Sequence, residues 1–234
     1  MNGKSSPEIS VIIPAYNEAG IIKNTIHKTK QILGSLNKVF EILIVNDGSI
    51  DDTGKVCEEL SREDSRIKVI HHKENLGIGA ALKTLFRNTK GSLIFFIPAD
   101  GQQNPSEITN FMDVIRDCDI VCGYREKRVD PFYRRLNARL WNFWIRLFFG
   151  LKVKDLNWVK MYRAEVFKKI ELVGDSAFID SEVLIKAKKR GFRIKEIPTG
   201  HFPRETGRQT GSHPLVILRA FRDFFRLYKI IRNE

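Results

Sequence analysis

The order of elements in this chain of 234 residues predicts an α/β fold built on a mostly parallel, doubly wound sheet flanked by helices. Three observations carry that expectation. Short apolar runs alternate with stretches of helical periodicity through the first half. Turns bearing Asn, Asp or Gly follow the apolar runs. A hydrophobic content of 42% beside 29% charged residues describes a globular chain able to bury a real core.

Taken in order, Ile9 to Ile13 is a short apolar strand ending at Pro14, and residues 19–33 have helical spacing. Phe40 to Val45 is a strand running into Asn46, Asp47, Gly48 and Ser49. Asp51 and Asp52 then open a helix, where acidic side chains suit the positive end of the dipole. Residues 67–70 form a third strand, 78–86 a third helix, 93–97 a fourth strand, 107–115 a helix and 119–122 a fifth strand. The second half is less regular. Residues 133–149 form a basic, aromatic helix, 155–162 a loop or strand, 180–190 a helix and 192–197 a strand. A Gly-rich, basic loop spans 201–212, and a terminal helix covers 214–231. No internal repeat or low-complexity linker interrupts the chain.

The net charge of +12 is unevenly placed, with residues 1–123 carrying a net −2 and residues 124–234 a net +14. The first half reads as an ordinary core, and the second is built to meet something anionic: phosphates, acidic lipid or nucleic acid. No apolar run approaches the ~20 residues that span a bilayer. The first residues, Met1 to Ser6, lack an apolar signal core, which argues against secretion. Cys57, Cys118 and Cys122 show no metal-type clustering and read as buried free thiols in a reducing, cytoplasmic compartment.

The most informative stretch is Phe95-Phe96-Ile97-Pro98-Ala99-Asp100-Gly101-Gln102. An apolar strand ends, a lone carboxylate follows, and a second oxygen ligand sits two residues on. A hard divalent cation takes one or two protein oxygens and completes its shell with nucleotide phosphates. The carboxyl ends of strands in an open α/β sheet are also where its ligand crevice forms. Pro14 to Glu18 and Asn46 to Ser49 follow strands at the same expected edge, where carboxylates can accept hydrogen bonds from a ribose or base. The alternative for Asp47-Gly48 is a plain turn, and for Asp51 or Asp52 a helix cap. Asn75-Leu76-Gly77-Ile78-Gly79 is half of a dinucleotide fingerprint without its distant acid, and reads as a tight helix entry allowing close backbone approach.

These pieces together resemble the family 2 glycosyltransferases, which have the GT-A fold. The likeness rests on residues 12–18, 45–53, 75–81 and 99–102 in their order and spacing. Within that family the chain most resembles the dolichol- or polyprenol-phosphate hexosyltransferases, through Gly123-Tyr124-Arg125, the helix of Arg134 and Arg135, and His201 to Gly207. The likeness covers roughly residues 8–212. It implies a GT-A domain over 1–212, with a nucleotide-sugar half (8–123) and an acceptor half (124–212), followed by a basic amphipathic helix (213–234). It implies that Pro14, Tyr16, Glu18 and Asp47 hold the donor, and that Asp100 and Gln102 hold Mg²⁺ or Mn²⁺ on the diphosphate. Arg204 and Gln209 would reach phosphate oxygens, and Arg125 and Arg135 the acceptor phosphate. Members usually carry Asp-x-Asp where Pro98 here replaces the first carboxylate, which thins the metal site. Ala138 stands near where the family often has a serine.

The implied reaction is metal-dependent, inverting transfer of a hexose from a UDP- or GDP-sugar to a polyprenyl phosphate. Cations placed on the leaving diphosphate would be preorganised electrostatic catalysts. A phosphate acceptor is already ionised, so it needs no strong base; a hydroxyl acceptor does. Asp180 is the candidate base for the second case, with helix capping as its structural alternative. In the helix of 133–149, Arg135, Arg139, Asn142 and Arg146 form one stripe and Leu136, Leu140, Phe143, Trp144 and Leu147 the opposite face. That face suits either the protein core or the headgroup boundary of a membrane. In the last helix Arg219, Arg222, Arg226 and Lys229 oppose Ile217, Leu218, Phe221, Phe224, Phe225, Tyr228 and Ile231. The pattern fits an anionic membrane surface, docking on its own domain, or both. The expected setting is therefore peripheral, on the cytoplasmic face of a membrane, with a separate membrane subunit as a further expected partner. The competing functions are a glycosyltransferase with a hydroxyl acceptor and a nucleotide-sugar-binding homologue made inactive by Pro98. Nucleic-acid binding is disfavoured, because the cations accompany apolar helical faces and no recognition fold.

Overall fold

The structure, a computed structural model, describes residues 6–128, 131–204 and 214–233. Among the described residues seven strands form one sheet in the order β3-β2-β1-β4-β6-β5-β7. The first four are β1 (Ile9–Ala15), β2 (Phe40–Asp47), β3 (Ile67–His72) and β4 (Leu93–Phe96), and they pair in parallel. The expected βαβ alternation supplies α1 (Ile22–Ser35), α2 (Thr53–Glu63) and α3 (Ile78–Asn88) between them. β2 is buried along its whole length, so its unbroken apolar run is that of a strand covered on both faces.

Two features of the second half depart from simple alternation. β6 (Lys160–Arg163) lies antiparallel between β4 and β5 (Ile120–Arg125), overlapping the segment 155–162 whose sequence read as loop or strand. A short helix, α6 (Glu165–Lys169), follows β6 and has no counterpart among the expected elements. The remaining elements are α4 (Ile108–Val114), entered through a 3₁₀ turn at Pro105–Glu107, α5 (Phe132–Phe149), α7 (Ile179–Lys189), β7 (Ile194–Thr199) and α8 (Pro214–Asn233). β7 joins β5 in parallel at the sheet edge.

One apolar cluster on one face of the sheet joins side chains from α3, α5, α6, α7 and α8. A second joins side chains from α1, α2 and α4. All three cysteines are buried free thiols, as expected. α8 does dock on its own domain. Ala220, Asp223, Phe224 and Leu227 are buried, and Phe224 packs against Trp141, Phe148 and Phe149 of α5 with ring centroids 5.1 to 5.9 Å apart. The Asp223 carboxylate accepts hydrogen bonds from the backbone N–H of Asp175 (3.2 Å) and Ser176 (3.1 Å). Glu182 of α7, fully buried, takes those of Val173 and Gly174, both at 2.8 Å. The loop of residues 173–176 is thus held by two carboxylates, and it presses on the start of α3.

Gly79 marks that contact. A β-carbon there would lie 2.3 Å from the carbonyl oxygens of both Asp175 and Ser176. The close approach read from the glycines therefore serves protein backbone. Gly79→Ala is expected to lower stability in urea unfolding by about 2 kcal/mol or more, because backbone on both sides has to move.

Candidate functional site

Parallel pairing of β1, β2 and β4 brings the segments after Ala15, Asp47 and Phe96 to one edge, as the sequence implied. These segments bond to each other before they meet anything else. Asn17, in the left-handed region (φ 55°) that asparagine tolerates, donates its N–H to Ser49 Oγ (3.0 Å) and accepts from Ile50 N–H (2.9 Å). Asp51 accepts from the N–H (3.0 Å) and hydroxyl (2.5 Å) of Thr53 and the N–H of Ala19 (3.2 Å), which ties the β1 loop to the start of α2. Asp52, at the cap position, makes no side-chain cap bond. Pro14 and Tyr16 are half-buried beside these contacts.

Asp47, expected to hold the nucleoside, has both oxygens engaged by the protein. Oδ1 accepts from Leu76 N–H (3.1 Å) and lies 2.6 Å from His72 Nδ1, and Oδ2 accepts from Gly77 N–H (2.8 Å). Its first task is to build the entry to α3. Gly48 makes the turn beyond it at φ 65°, where a β-carbon would fall 2.2 Å from the carbonyl carbon of Glu74.

Glu18 and Asp100 face one guanidinium. Arg204 Nη2 hydrogen-bonds to Glu18 Oε1, and its Nη1 lies 3.8 Å from Asp100 Oδ2. Burial pushes both carboxyl groups above their ordinary range, and Arg204 opposes the shift at each. Asp100 Oδ1 also accepts from Gln102 N–H at 3.1 Å. The Gln102 side-chain nitrogen lies 3.2 Å from His201 Nε2 and donates to Phe202 O at 3.2 Å, while Phe202 N–H donates to Gln102 O at 2.9 Å. The structure thus brings Glu18, Asp100, Gln102 and Arg204 together. Gln209 lies outside the described residues.

For a divalent cation the chain offers the Asp100 carboxylate and the side-chain oxygen of Gln102. Among the described residues no group of three or more His, Cys, Asp or Glu side chains is arranged to hold a metal. So thin a donor set suits an ion whose other ligands come with a nucleotide.

Asp180 does not cap the helix that it opens. Phe178 occupies the cap position of α7, with no side-chain cap bond, and Asp180 lies in the first turn. Its Oδ1 is 2.9 Å from Lys160 Nζ, a wholly buried ammonium that also donates to Trp158 O at 2.8 Å. Burial raises the Asp180 carboxyl and Lys160 opposes the rise. One of its two oxygens is therefore committed to a protein cation.

Arg125, at the end of β5, is fixed by partners that the sequence reading did not single out. Its Nε and Nη2 donate to the two oxygens of Asp155 at 2.7 and 2.9 Å, a bidentate fork. The guanidinium carbon sits 4.7 Å from the ring centroid of Trp158, whose Nε1 donates to Thr199 Oγ1 at 2.8 Å. Trp158 in turn packs edge-on against His201. An isolated acid followed by a tryptophan in a cation-rich half was the available signal.

Arg125 and Arg135 line one cavity of about 420 Å³, where Lys127, Arg128, Arg139 and Lys154 join them, with Ala138 in its wall. Asn142 closes its floor by donating to Lys154 O at 2.7 Å. The apolar face of α5 beside it looks outward. Leu136, Leu140, Phe143 (56% exposed), Trp144 and Leu147 (61%) meet solvent, and Ile145 is the one α5 residue among those described that is fully buried. The core-facing reading of that stripe is corrected. The core takes the flank of Trp141, Ile145, Phe148 and Phe149. On α8, Ile217, Leu218, Phe221 and Phe225 are likewise exposed. No described helix is long and apolar enough to cross a membrane.

The sheet order, the strand-end carboxylates and the late arginine define a GT-A-like glycosyltransferase fold. The chain belongs to glycosyl transferase family 2, whose family model matches residues 10–170. It is 32% identical over 203 residues to the undecaprenyl-phosphate 4-deoxy-4-formamido-L-arabinose transferase of Edwardsiella ictaluri, covering 85% of this chain and 61% of that protein. It is 30% identical over 208 residues to the glycosyltransferase AglD of Haloferax volcanii, covering 84% of this chain and 33% of that protein. The chain therefore spans about one third to three fifths of these relatives. Among solved structures it resembles glucosyl-3-phosphoglycerate synthase of Mycobacterium tuberculosis in complex with Mn²⁺, UDP and glucosyl-3-phosphoglycerate. There the TM-score is 0.69 and the identity 20%, covering 98% of this chain and 81% of the other. A mannosyltransferase of Pyrobaculum calidifontis in complex with GDP-Man and Mn²⁺ gives a TM-score of 0.65 at 18% identity, over 95% and 65% of the two chains.

Removing one partner of the Lys160–Asp180 pair leaves a buried charge alone. Lys160→Met is expected to cost about 3 kcal/mol in urea unfolding at neutral pH. Adding Asp180→Asn should restore most of that loss.

Proposed function

We propose that the chain transfers a hexose from a nucleotide sugar to a polyprenyl phosphate at an anionic membrane surface, by direct inverting displacement. The observation that carries this reading is the placement of the basic cavity. On one side it adjoins the outward apolar face of α5. On the other, its Arg125 acts on Asp100, whose carboxyl burial raises and the Arg204 and Arg125 guanidinium charges lower. A lipid phosphate held by Arg125 and Arg135 would keep its chain beside the exposed Leu140, Phe143 and Leu147 and its oxygens toward the donor. The undecaprenyl-phosphate acceptor in the name of the Edwardsiella relative agrees with such a ligand.

In this reading Glu18, with Pro14 and Tyr16 beside it, borders the nucleoside, and Asp47 shapes that end through α3. Asp100 and Gln102 would hold Mg²⁺ or Mn²⁺, the ions that accompany nucleotides in the neighbouring structures. When bound, such an ion offsets charge building on the leaving phosphate. Arg204 adds a fixed cation at the same place, and Arg125, held by Asp155 and Trp158, presents the acceptor without reorganising. Lys160 keeps Asp180 occupied, which suits an acceptor that arrives already ionised. Attachment is peripheral, through the exposed flanks of α5 and α8, and the expected cytoplasmic side and membrane subunit belong to the same proposal.

The direct test incubates the chain with labelled UDP- and GDP-sugars, Mn²⁺ or Mg²⁺, and a short polyprenyl phosphate. Label is expected to move into the organic phase, and Asp100→Asn is expected to abolish the transfer. Binding of nucleotide sugar without transfer to any acceptor would instead support the inactive homologue. Arg135→Ala with Arg139→Ala should raise the KM for the lipid phosphate about tenfold or more, since each removes a charge-assisted contact. Leu140→Glu with Phe143→Glu changes exposed positions, so folding should persist while sedimentation with vesicles rich in anionic lipid is lost.

A further inference from the structure

The cluster at the donor edge contains its own cation. Glu18 follows β1, Asp100 follows β4, and these strands are neighbours, so the fold itself forces two carboxylates into one largely buried place. Arg204 comes from far along the chain to meet them. Its approach is built in, because Gly200 N–H donates to Glu107 Oε1 at 2.7 Å and Phe202 is clasped by Gln102 from both sides. Two residues beyond that clasp, one guanidinium nitrogen bonds Glu18 Oε1 and the other lies 3.8 Å from Asp100 Oδ2.

We propose that Arg204 is an internal counter-ion that competes with a divalent cation for Asp100, and that a nucleoside diphosphate ends the competition by taking the guanidinium. Cation and diphosphate then bind as a coupled pair. This rests on the reading of the edge as a donor site, and it adds an order of events to that site. A dication beside Asp100 would stand within a few ångströms of a guanidinium, in a place where water screens the repulsion poorly. A diphosphate offers Arg204 the planar, two-pronged partner that guanidinium favours, and it brings oxygens that complete the cation's shell. The coupling is reciprocal by necessity, so the nucleotide tightens cation binding by the same factor as the cation tightens nucleotide binding.

Binding of Mn²⁺ to the whole chain, read by the loss of the free-ion electron paramagnetic resonance signal, tests this without any turnover. The wild type should bind Mn²⁺ alone weakly. Arg204→Gln removes the competitor and should bind Mn²⁺ alone about tenfold more tightly, within the usual range of such couplings. Arg204→Lys keeps the charge and should stay near the wild type, which separates loss of the cation from a general loosening of the fold. In a second arm, UDP and GDP are titrated with and without Mn²⁺. The gain from the metal should be smaller in Arg204→Gln than in the wild type, because only the direct contact between diphosphate and cation remains. Unchanged or weaker Mn²⁺ binding by Arg204→Gln would overturn the proposal. Asp100→Asn should abolish Mn²⁺ binding in either background. If it leaves binding intact, the donor-site reading falls, and the competition falls with it.

Discussion

The functional geometry depends on the clasp between Gln102 and residues 201 and 202. One backbone bond of 2.9 Å and two side-chain contacts of 3.2 Å join the end of the β4 segment to a loop about a hundred residues away. Arg204 reaches Glu18 and Asp100 because the clasp sets where its loop departs. His201, held by the same contact, packs on Trp158, and Trp158 is the platform under Arg125. The cationic groups assigned to the two ends of the reaction are therefore positioned through one continuous set of contacts. Such a set keeps donors aimed at developing charge without rearrangement, which is the main physical demand of a transfer that leaves a diphosphate.

The two halves of the chain divide the work by charge. The sheet half is nearly neutral and spends its acids on its own loops, with Asp47 and Asp51 each accepting several protein hydrogen bonds. The later half holds the excess of cations and gathers six of them around one cavity. Asp155 matters out of proportion to its single charge there. By engaging Arg125 through both oxygens, it lets a guanidinium remain fixed among like charges that would otherwise push it away.

What could be read from the sequence was what periodicity and topology determine. Alternating strands and helices leave a parallel sheet one carboxyl edge, so topology alone assigns Glu18, Asp47 and Asp100 to it. The segment of β6 read as loop or strand, its apolar pair bracketed by Lys160 and Arg163, and its antiparallel place escaped because nothing local marks it. Lys160 and Asp155 were missed with it. The orientation of α5 was hidden for another reason. That helix carries apolar residues on two flanks, one with Trp141, Ile145 and Phe148 and another with Leu140, Phe143 and Leu147, and spacing alone does not say which meets the core. The part of Asp47 as builder of α3 was equally invisible, since its partners are backbone N–H groups and a histidine 25 residues away.

Asp223 has a consequence of its own. A helix turns about 100° with each residue, so sliding α8 by a single position would swing this buried acid away from the two amides it serves. The carboxylate acts as an index pin for the whole terminal helix. It decides that Arg222 and Phe225 look outward while Phe224 and Leu227 look in. A one-residue insertion between Asp223 and Phe224 would set those demands against each other. The helix could keep its pin or its aromatic packing, and it would lose its present outer face either way.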